Sequence, residues 1–189
     1  MMPQIGVARQ FDYSLARYRL AGRYYAGYWV PTTGTATAIV ADRLYAMPFV
    51  TAKAHKVTQM GIYVSTGVAD TLARLGIYQD DGALYPGALV LDAGTIATTA
   101  TAYREITGLT QMLAPNTLYW RVLVGNGVPT LNWENTGDIS GILGSANATP
   151  GGMCSGYYVA FTYAVLPATF PASATIAQSG PALCIMVNP

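Results

Sequence analysis

The strongest constraint on this chain is a rhythm of short runs in which apolar and polar residues alternate, cut at brief intervals by Gly and Pro. A period of two puts one set of side chains on each face of a β-strand, whereas a helix needs spacings of three and four. In Val57 to Ser65, Met60, Ile62 and Val64 point one way and Gln59, Tyr63 and Ser65 the other. Thr71 to Gln79 sets Ala73, Leu75 and Ile77 against Arg74 and Tyr78. Thr117 to Gly125 sets Leu118, Trp120, Val122 and Val124 against Tyr119, Arg121 and Leu123. Met153 to Leu166 reads as a buried strand with Tyr157, Val159, Phe161 and Tyr163 on one face, and Ala182 to Val187 as a last short strand. Asp80-Asp81-Gly82, Tyr85-Pro86-Gly87, Ala114-Pro115-Asn116 and Gly125-Asn126-Gly127 supply turns. These signals predict an all-β sandwich or barrel.

Charge is scarce and unevenly placed. Only 10% of the 189 residues are charged, against about 25% in an average soluble domain. The ten basic and nine acidic residues all lie at or before Asp138, so Ile139 to Pro189 carries none. Such a tail must be buried, assembled against something, or covered by neutral polar groups. Because obligate interfaces deplete charge, it is also where a subunit contact is expected. The near-zero net charge leaves no electrostatic footprint for nucleic acid. Abundant Val, Ile, Leu and Tyr exclude disorder. Met153 to Leu166 is the most apolar stretch, yet its 14 residues fall short of the about 18 to 20 that a membrane helix needs. Nor does the N-terminal stretch read as a secretory signal. Cys154 and Cys184 are 30 residues apart, fit no ligand spacing, and read as buried free thiols, with a disulfide between their strands as the lesser alternative.

Residues 1–22 differ in texture from the rest and read as an N-terminal arm, with the sandwich over residues 23–189. Phe11, Leu15 and Tyr18 recur at helical spacing, and Arg9, Arg17, Arg19 and Arg23 face a single Asp12. Two readings stand: a short basic amphipathic helix or docking arm, and a first strand or frayed terminus. Tyr24 to Ala41 is free of charge and rich in Tyr, Thr and Gly, and reads as a linker entering a first strand around Thr37 to Arg43. Tyr24, Tyr25, Tyr28 and Trp29 crowd into it, suited either to a partner contact or to ordinary core packing.

Candidate chemistry is thin. His55, the sole histidine, reads as a solvent-exposed loop residue, without the nucleophile and orienting carboxylate of a triad. No metal site is expected from one His and two distant Cys, and no cofactor is called for. Glycoside hydrolysis would need two carboxyl groups held close, for which Glu105 and Glu134 are the first candidates. Asp80, Asp81 and Asp92 read as turn and strand-end residues, with Ca²⁺ ligation by the first two as a lesser alternative. Aromatics are the abundant resource: 14 Tyr and 3 Trp against 4 Phe. Tyr and Trp suit half-buried contact surfaces, although Tyr is also an ordinary strand residue. Asp80, Asp81, Tyr85, Asn126 and Trp133 stand out as loop residues for ligand binding.

Several of these segments together resemble a β-sandwich module of tailed-bacteriophage virion proteins. The resemblance rests on Gly22 to Tyr25, Arg43 to Phe49, Arg74-Leu75-Gly76-Ile77-Tyr78, Asp80-Asp81-Gly82, Tyr85-Pro86-Gly87, Asp92-Ala93-Gly94, Leu113-Ala114-Pro115, Tyr119-Trp120 and Leu166 to Phe170. It implies a jelly-roll-like antiparallel sandwich displayed on the particle as a head fibre, capsid decoration or tail-fibre component. It further implies a homo-oligomer, a trimer above all, in contact with capsid or tail proteins and with the host envelope, without membrane insertion. No catalytic residue carries over. On that footing the expected protein is a non-enzymatic virion component. Arg9, Phe11, Leu15, Arg17, Tyr18, Tyr24, Tyr25, Tyr28 and Trp29 would anchor it or join its subunits. The alternative is a dedicated carbohydrate- or receptor-binding module of a tail or adhesin.

Overall fold

Alternation is translated into two antiparallel sheets. The computed structural model describes residues 21–26, 35–134, 140–144 and 154–188. In chain order the strands are β1 (Arg23–Ala26), β2 (Thr37–Ala38), β3 (Arg43–Thr51), β4 (His55–Thr66) and β5 (Leu72–Asp80). Next come β6 (Pro86–Ala97), β7 (Ala102–Ile106), β8 (Gln111–Leu113), β9 (Thr117–Gly125), β10 (Thr130–Leu131) and β11 (Trp133–Glu134). A single helical turn, α1 (Ser140–Leu143), precedes β12 (Gly156–Ala160), β13 (Thr175–Ala177), β14 (Gly180–Pro181) and β15 (Cys184–Asn188). One sheet has six strands in the order β13-β12-β3-β9-β5-β6. The other has seven: β1-β15-β4-β10-β2, with β7 and β8 also on β4. Successive strands repeatedly cross between the sheets, the habit of a jelly-roll-like sandwich; β11 and β14 pair separately.

The inner faces meet in one core. Tyr45, Met47, Phe49, Ala73, Leu75, Ile77 and Leu123 come from the six-stranded sheet, and Val57, Met60, Ile62, Val64, Ile185 and Val187 from the other. Val57 and Met60 are three apart yet both point inward, because Thr58 is an extra residue: Met186 pairs with Gln59 while Val187 pairs with Val57. A β-bulge of this kind resets the alternation. Pro48 lies on the stretch of β3 that has β9 alone as a neighbour, since β12 reaches only to Ala46, so its missing N–H interrupts no second ladder.

The six-stranded sheet is covered on its outer face as well. Leu44, Ala46, Tyr78, Trp120, Val122 and Val124 form a second cluster with Leu166 and Phe170. The chain leaving β12 folds back over this face and is tied down by side chains. Asp42 accepts hydrogen bonds from the backbone N–H of Phe161 through its carbonyl (2.8 Å) and of Tyr163 through Oδ1 (2.7 Å). Tyr78 Oη donates to the Pro167 carbonyl at 2.7 Å, and Tyr85 Oη donates to that of Pro171 at 2.7 Å. An irregular segment can lie on a sheet only when its peptide groups find such partners. Leu166 seats over Gly76, where a Cβ would stand 2.3 Å from its Cδ1.

Four sequence expectations change. Met153 to Leu166 is not one strand: pairing ends at Ala160, and Phe161 to Leu166 belong to the cover. Arg23–Ala26, at the start of the expected linker, is already a strand, held by β15, and Thr37–Ala38 is only a short pairing with β10. The chain then turns at Asp42, which adopts a positive φ of 56°, so the long strand begins at Arg43. β5 has two buried faces rather than one, with Tyr78 beneath the cover. His55 heads β4 opposite Leu113 and is only 2% exposed, not a solvent loop residue. No disulfide joins Cys154 to Cys184; Cys154 is buried, as expected, and Cys184 only half-buried. Arg9, Phe11, Leu15, Arg17, Tyr18, Tyr28 and Trp29 lie outside the described residues.

Candidate functional site

The outer face of the seven-stranded sheet has no cover among the described residues, and its polar alternation shows why. Gln59, Tyr63 and Ser65 are the partly exposed set of β4, opposite the buried Met60, Ile62 and Val64. Tyr63 pairs in register with Tyr103 of β7, and the rings stand 4.7 Å apart. Tyr103 is 84% exposed, the most open large hydrophobic side chain of the described residues.

Beside this aromatic pair lies a polar group drawn from three strands. Tyr24 of β1 hydrogen-bonds through its hydroxyl with Gln59 Oε1 and Glu105 Oε2. Gly61 permits the contact: it pairs with Cys184 on one side and Glu105 on the other, and without a side chain it leaves the way across β4 clear. A Cβ there would sit 2.9 Å from the Arg104 carbonyl oxygen. The Tyr24 hydroxyl is raised to about 12, first by burial and then by the hydrogen bond and negative charge of Glu105. It is therefore a neutral hydrogen-bonding group across the whole physiological range. Burial also pushes the Cys184 thiol up; Arg121 opposes the shift and Glu134 adds to it.

Of the loop residues singled out from sequence, Asp80, Asp81 and Tyr85 share one loop, where the Asp81 N–H donates to the Tyr85 carbonyl at 2.9 Å, while Asn126 and Trp133 lie elsewhere. Asp80 Oδ1 accepts from the Gly82 N–H at 2.8 Å and its Oδ2 from Trp120 Nε1 at 3.0 Å. Asp81 Oδ1 accepts from the Ala83 N–H at 2.7 Å, so both make the local turn bonds natural to Asp. Tyr85 holds the cover and packs edge-on against Tyr157 and Phe170. Asn126 Oδ1 accepts from the Leu72 N–H at 2.7 Å, at the opposite end of β5 from Asp80. Trp133 packs edge-on against Tyr45 at 5.7 Å. Of the arm and linker candidates, Tyr24 joins the open face while Tyr25 packs toward the core between the sheets.

The two glutamates do not form a catalytic pair. Glu105 is exposed on the open face, whereas Glu134 lies inside, 2.9 Å from Arg121, with side chains 2% and 1% exposed. Arg121 Nη1 also donates to the Leu183 carbonyl, and its guanidinium lies 5.7 Å from the Phe49 ring centroid. This ion pair braces β9 against β11 and the entry to β15. A charge pair in that setting is a matter of architecture, since desolvation offsets much of its attraction. Among the described residues no three His, Cys, Asp or Glu side chains gather as metal ligands.

Sequence reading placed Gln59 and Tyr63 on one strand face but did not join them to Tyr24, Tyr103 and Glu105. The signal available was the i, i+2 spacing of Tyr103 and Glu105, which in a strand puts both on one face. No protein-family model and no curated protein matches this chain.

Proposed function

We propose that the chain is a non-enzymatic structural protein of a bacteriophage virion, an oligomeric head-fibre, decoration or tail-fibre component that contributes to host attachment. The observation that carries this reading is the asymmetry of the sandwich: one sheet is covered on both faces, while the other presents an open face of tyrosines and polar groups, Glu105 among them. A rigid scaffold with one such surface suits display and contact. The virion assignment draws its support from the resemblance, whose Gly22 to Tyr25, Arg43 to Phe49, Arg74 to Tyr78 and Leu166 to Phe170 segments fall on β1, β3, β5 and the cover. Residues 1–22 are the anchoring arm in this reading.

Mass spectrometry of purified particles and labelling of this chain in electron micrographs test the assignment. Surface label at regular positions is expected, and absence of the chain from particles overturns it. Light scattering of the purified chain is expected to give a trimer; a stable monomer removes the oligomer. Deleting residues 1–21 should leave the sandwich folded and abolish attachment, and recovery of the truncated chain on particles removes the anchoring role. The second reading, a dedicated carbohydrate- or receptor-binding module, is favoured by the open face alone. It predicts particles that assemble without this chain but fail to adsorb.

A further inference from the structure

We infer that the open face around Tyr103, Tyr63, Gln59 and Glu105 is a saccharide subsite that takes a neutral pyranose unit. This deepens the attachment reading above, on which it rests, by naming the ligand class and the residues.

Three observations point to a sugar. The first is the Tyr63 and Tyr103 pair, rings 4.7 Å apart, with the outer ring 84% exposed. A sugar presents an apolar C–H face and a rim of hydroxyls, so it matches an amphipathic aromatic beside polar groups better than an all-apolar partner does. The second is the adjoining polar group. Tyr103 and Glu105 are two residues apart on one strand face, about 7 Å between Cα atoms. The Tyr24 hydroxyl lies against one oxygen each of Gln59 and Glu105 and, with a single hydrogen to give, donates to one of them at a time. The Gln59 amide nitrogen and the second Glu105 oxygen are left for a ligand. They provide donors and an acceptor side by side, the pattern that neighbouring hydroxyls need.

The third observation is charge. Glu105 places a carboxylate at the edge of the aromatic pair, and the hydroxyl that faces it is neutral. A sialic or uronic acid would bring a second anion against it, a juxtaposition that costs affinity. The site is therefore matched to neutral hexose or N-acetylhexosamine units. Its preorganisation matters as well, since side chains already held by hydrogen bonds lose little further freedom on binding.

The test uses the full chain against an array of neutral and acidic oligosaccharides, followed by titration calorimetry with the best neutral one. Binding to at least one neutral oligosaccharide and none to acidic ones is expected. Tyr103→Ala should weaken binding about tenfold or more, the effect of losing roughly 1.4 kcal/mol. Tyr103→Phe should bind more tightly than Tyr103→Ala, because it keeps the ring that supplies the stacking. Glu105→Gln should narrow the gap between neutral and acidic oligosaccharides by admitting acidic ones. Thermal melting lowered by no more than about 4 °C in the variants confirms that the sheet is intact. The proposal is overturned if no neutral oligosaccharide binds, if acidic ones are preferred by the unmodified chain, or if Tyr103→Ala binds as before. It is equally overturned if Tyr103→Ala changes only the oligomer mass, which would give the face to a second copy. A chain found in particles that binds no glycan breaks this inference alone; one that binds neutral glycans but is missing from particles breaks the virion assignment alone.

Discussion

The two sheets differ in how many of their faces are dry. On β9 of the six-stranded sheet, Leu118, Trp120, Val122 and Val124 point outward and Tyr119, Arg121 and Leu123 inward, and from Tyr119 to Gly125 every residue is buried. On β4 of the seven-stranded sheet only the inward set is apolar throughout. A sheet with one wet face shows strict alternation, while one buried on both faces approaches a continuous apolar run. β9, with an apolar outward face, needs a second cover, and the uncharged chain after β12 supplies it. Much of that tail's missing charge is thus explained within the subunit: Leu166, Phe170, Ala177, Leu183, Ile185 and Val187 are all buried.

The contrast is open to experiment, beginning where the largest effect is expected. Arg121→Ala would strand Glu134 without its partner in the interior and should cost about 3–5 kcal/mol in denaturant unfolding, whereas an apolar pair of similar volume at both positions should come out near neutral. A loss below about 1 kcal/mol for the single variant would mean that water reaches the pair. Phe170→Ala in the cover should cost about 3–5 kcal/mol and Leu166→Ala about 2–5, by the same denaturation measurement. If both fall below about 0.5 kcal/mol, the outer face of the six-stranded sheet is not sealed and the comparison collapses.

Alkaline titration separates the faces by another route. Burial, with Asp92 adding to it, raises the Tyr78 hydroxyl well above its ordinary value near 10. A group whose folded value is raised adds stability that is complete below its unfolded value and declines as pH climbs from there toward the folded value. Stability should therefore fall as pH passes upward from about 10. Tyr78→Phe should flatten that decline, measured by melting temperature against pH, although it also removes the bond to Pro167 at every pH. Tyr24 is raised too and contributes in the same direction, but less, because it is 44% exposed. The smallest effect is expected on the open face: Tyr103→Ala should cost about 0.2–1 kcal/mol, the range of a cross-strand pair. A loss as large as that of Phe170 would show that the open face is structural core rather than a contact surface.

Local patterns were readable wherever neighbours in sequence settle the matter. The inward sets of β4 and β5 and the turn bonds of Asp80 and Asp81 follow from spacing or residue chemistry. The exceptions are pairings across long stretches of chain. Tyr24 and Glu105 are 81 residues apart, and nothing near either predicts the other. Arg121 reads as the polar member of an alternating strand, but it faces the interior because Glu134 and the Leu183 carbonyl meet it there. His55 looked exposed in its polar surroundings, yet the pairing of β4 with β8 encloses it.

By itself the sequence determined that the chain forms strands, which side chains share a strand face, where the turns fall, and that its last 51 residues carry no charge to place. Those are consequences of backbone geometry and side-chain polarity acting over a few residues. Only the tertiary structure decided which faces become dry. A strand's pattern says that a face is apolar, not what will cover it. The cover over Tyr78 and Trp120, the buried partner of Arg121 and the polar group around Glu105 each depend on register between distant segments. That register is set by how two twisted sheets and one folded-back segment exclude water together.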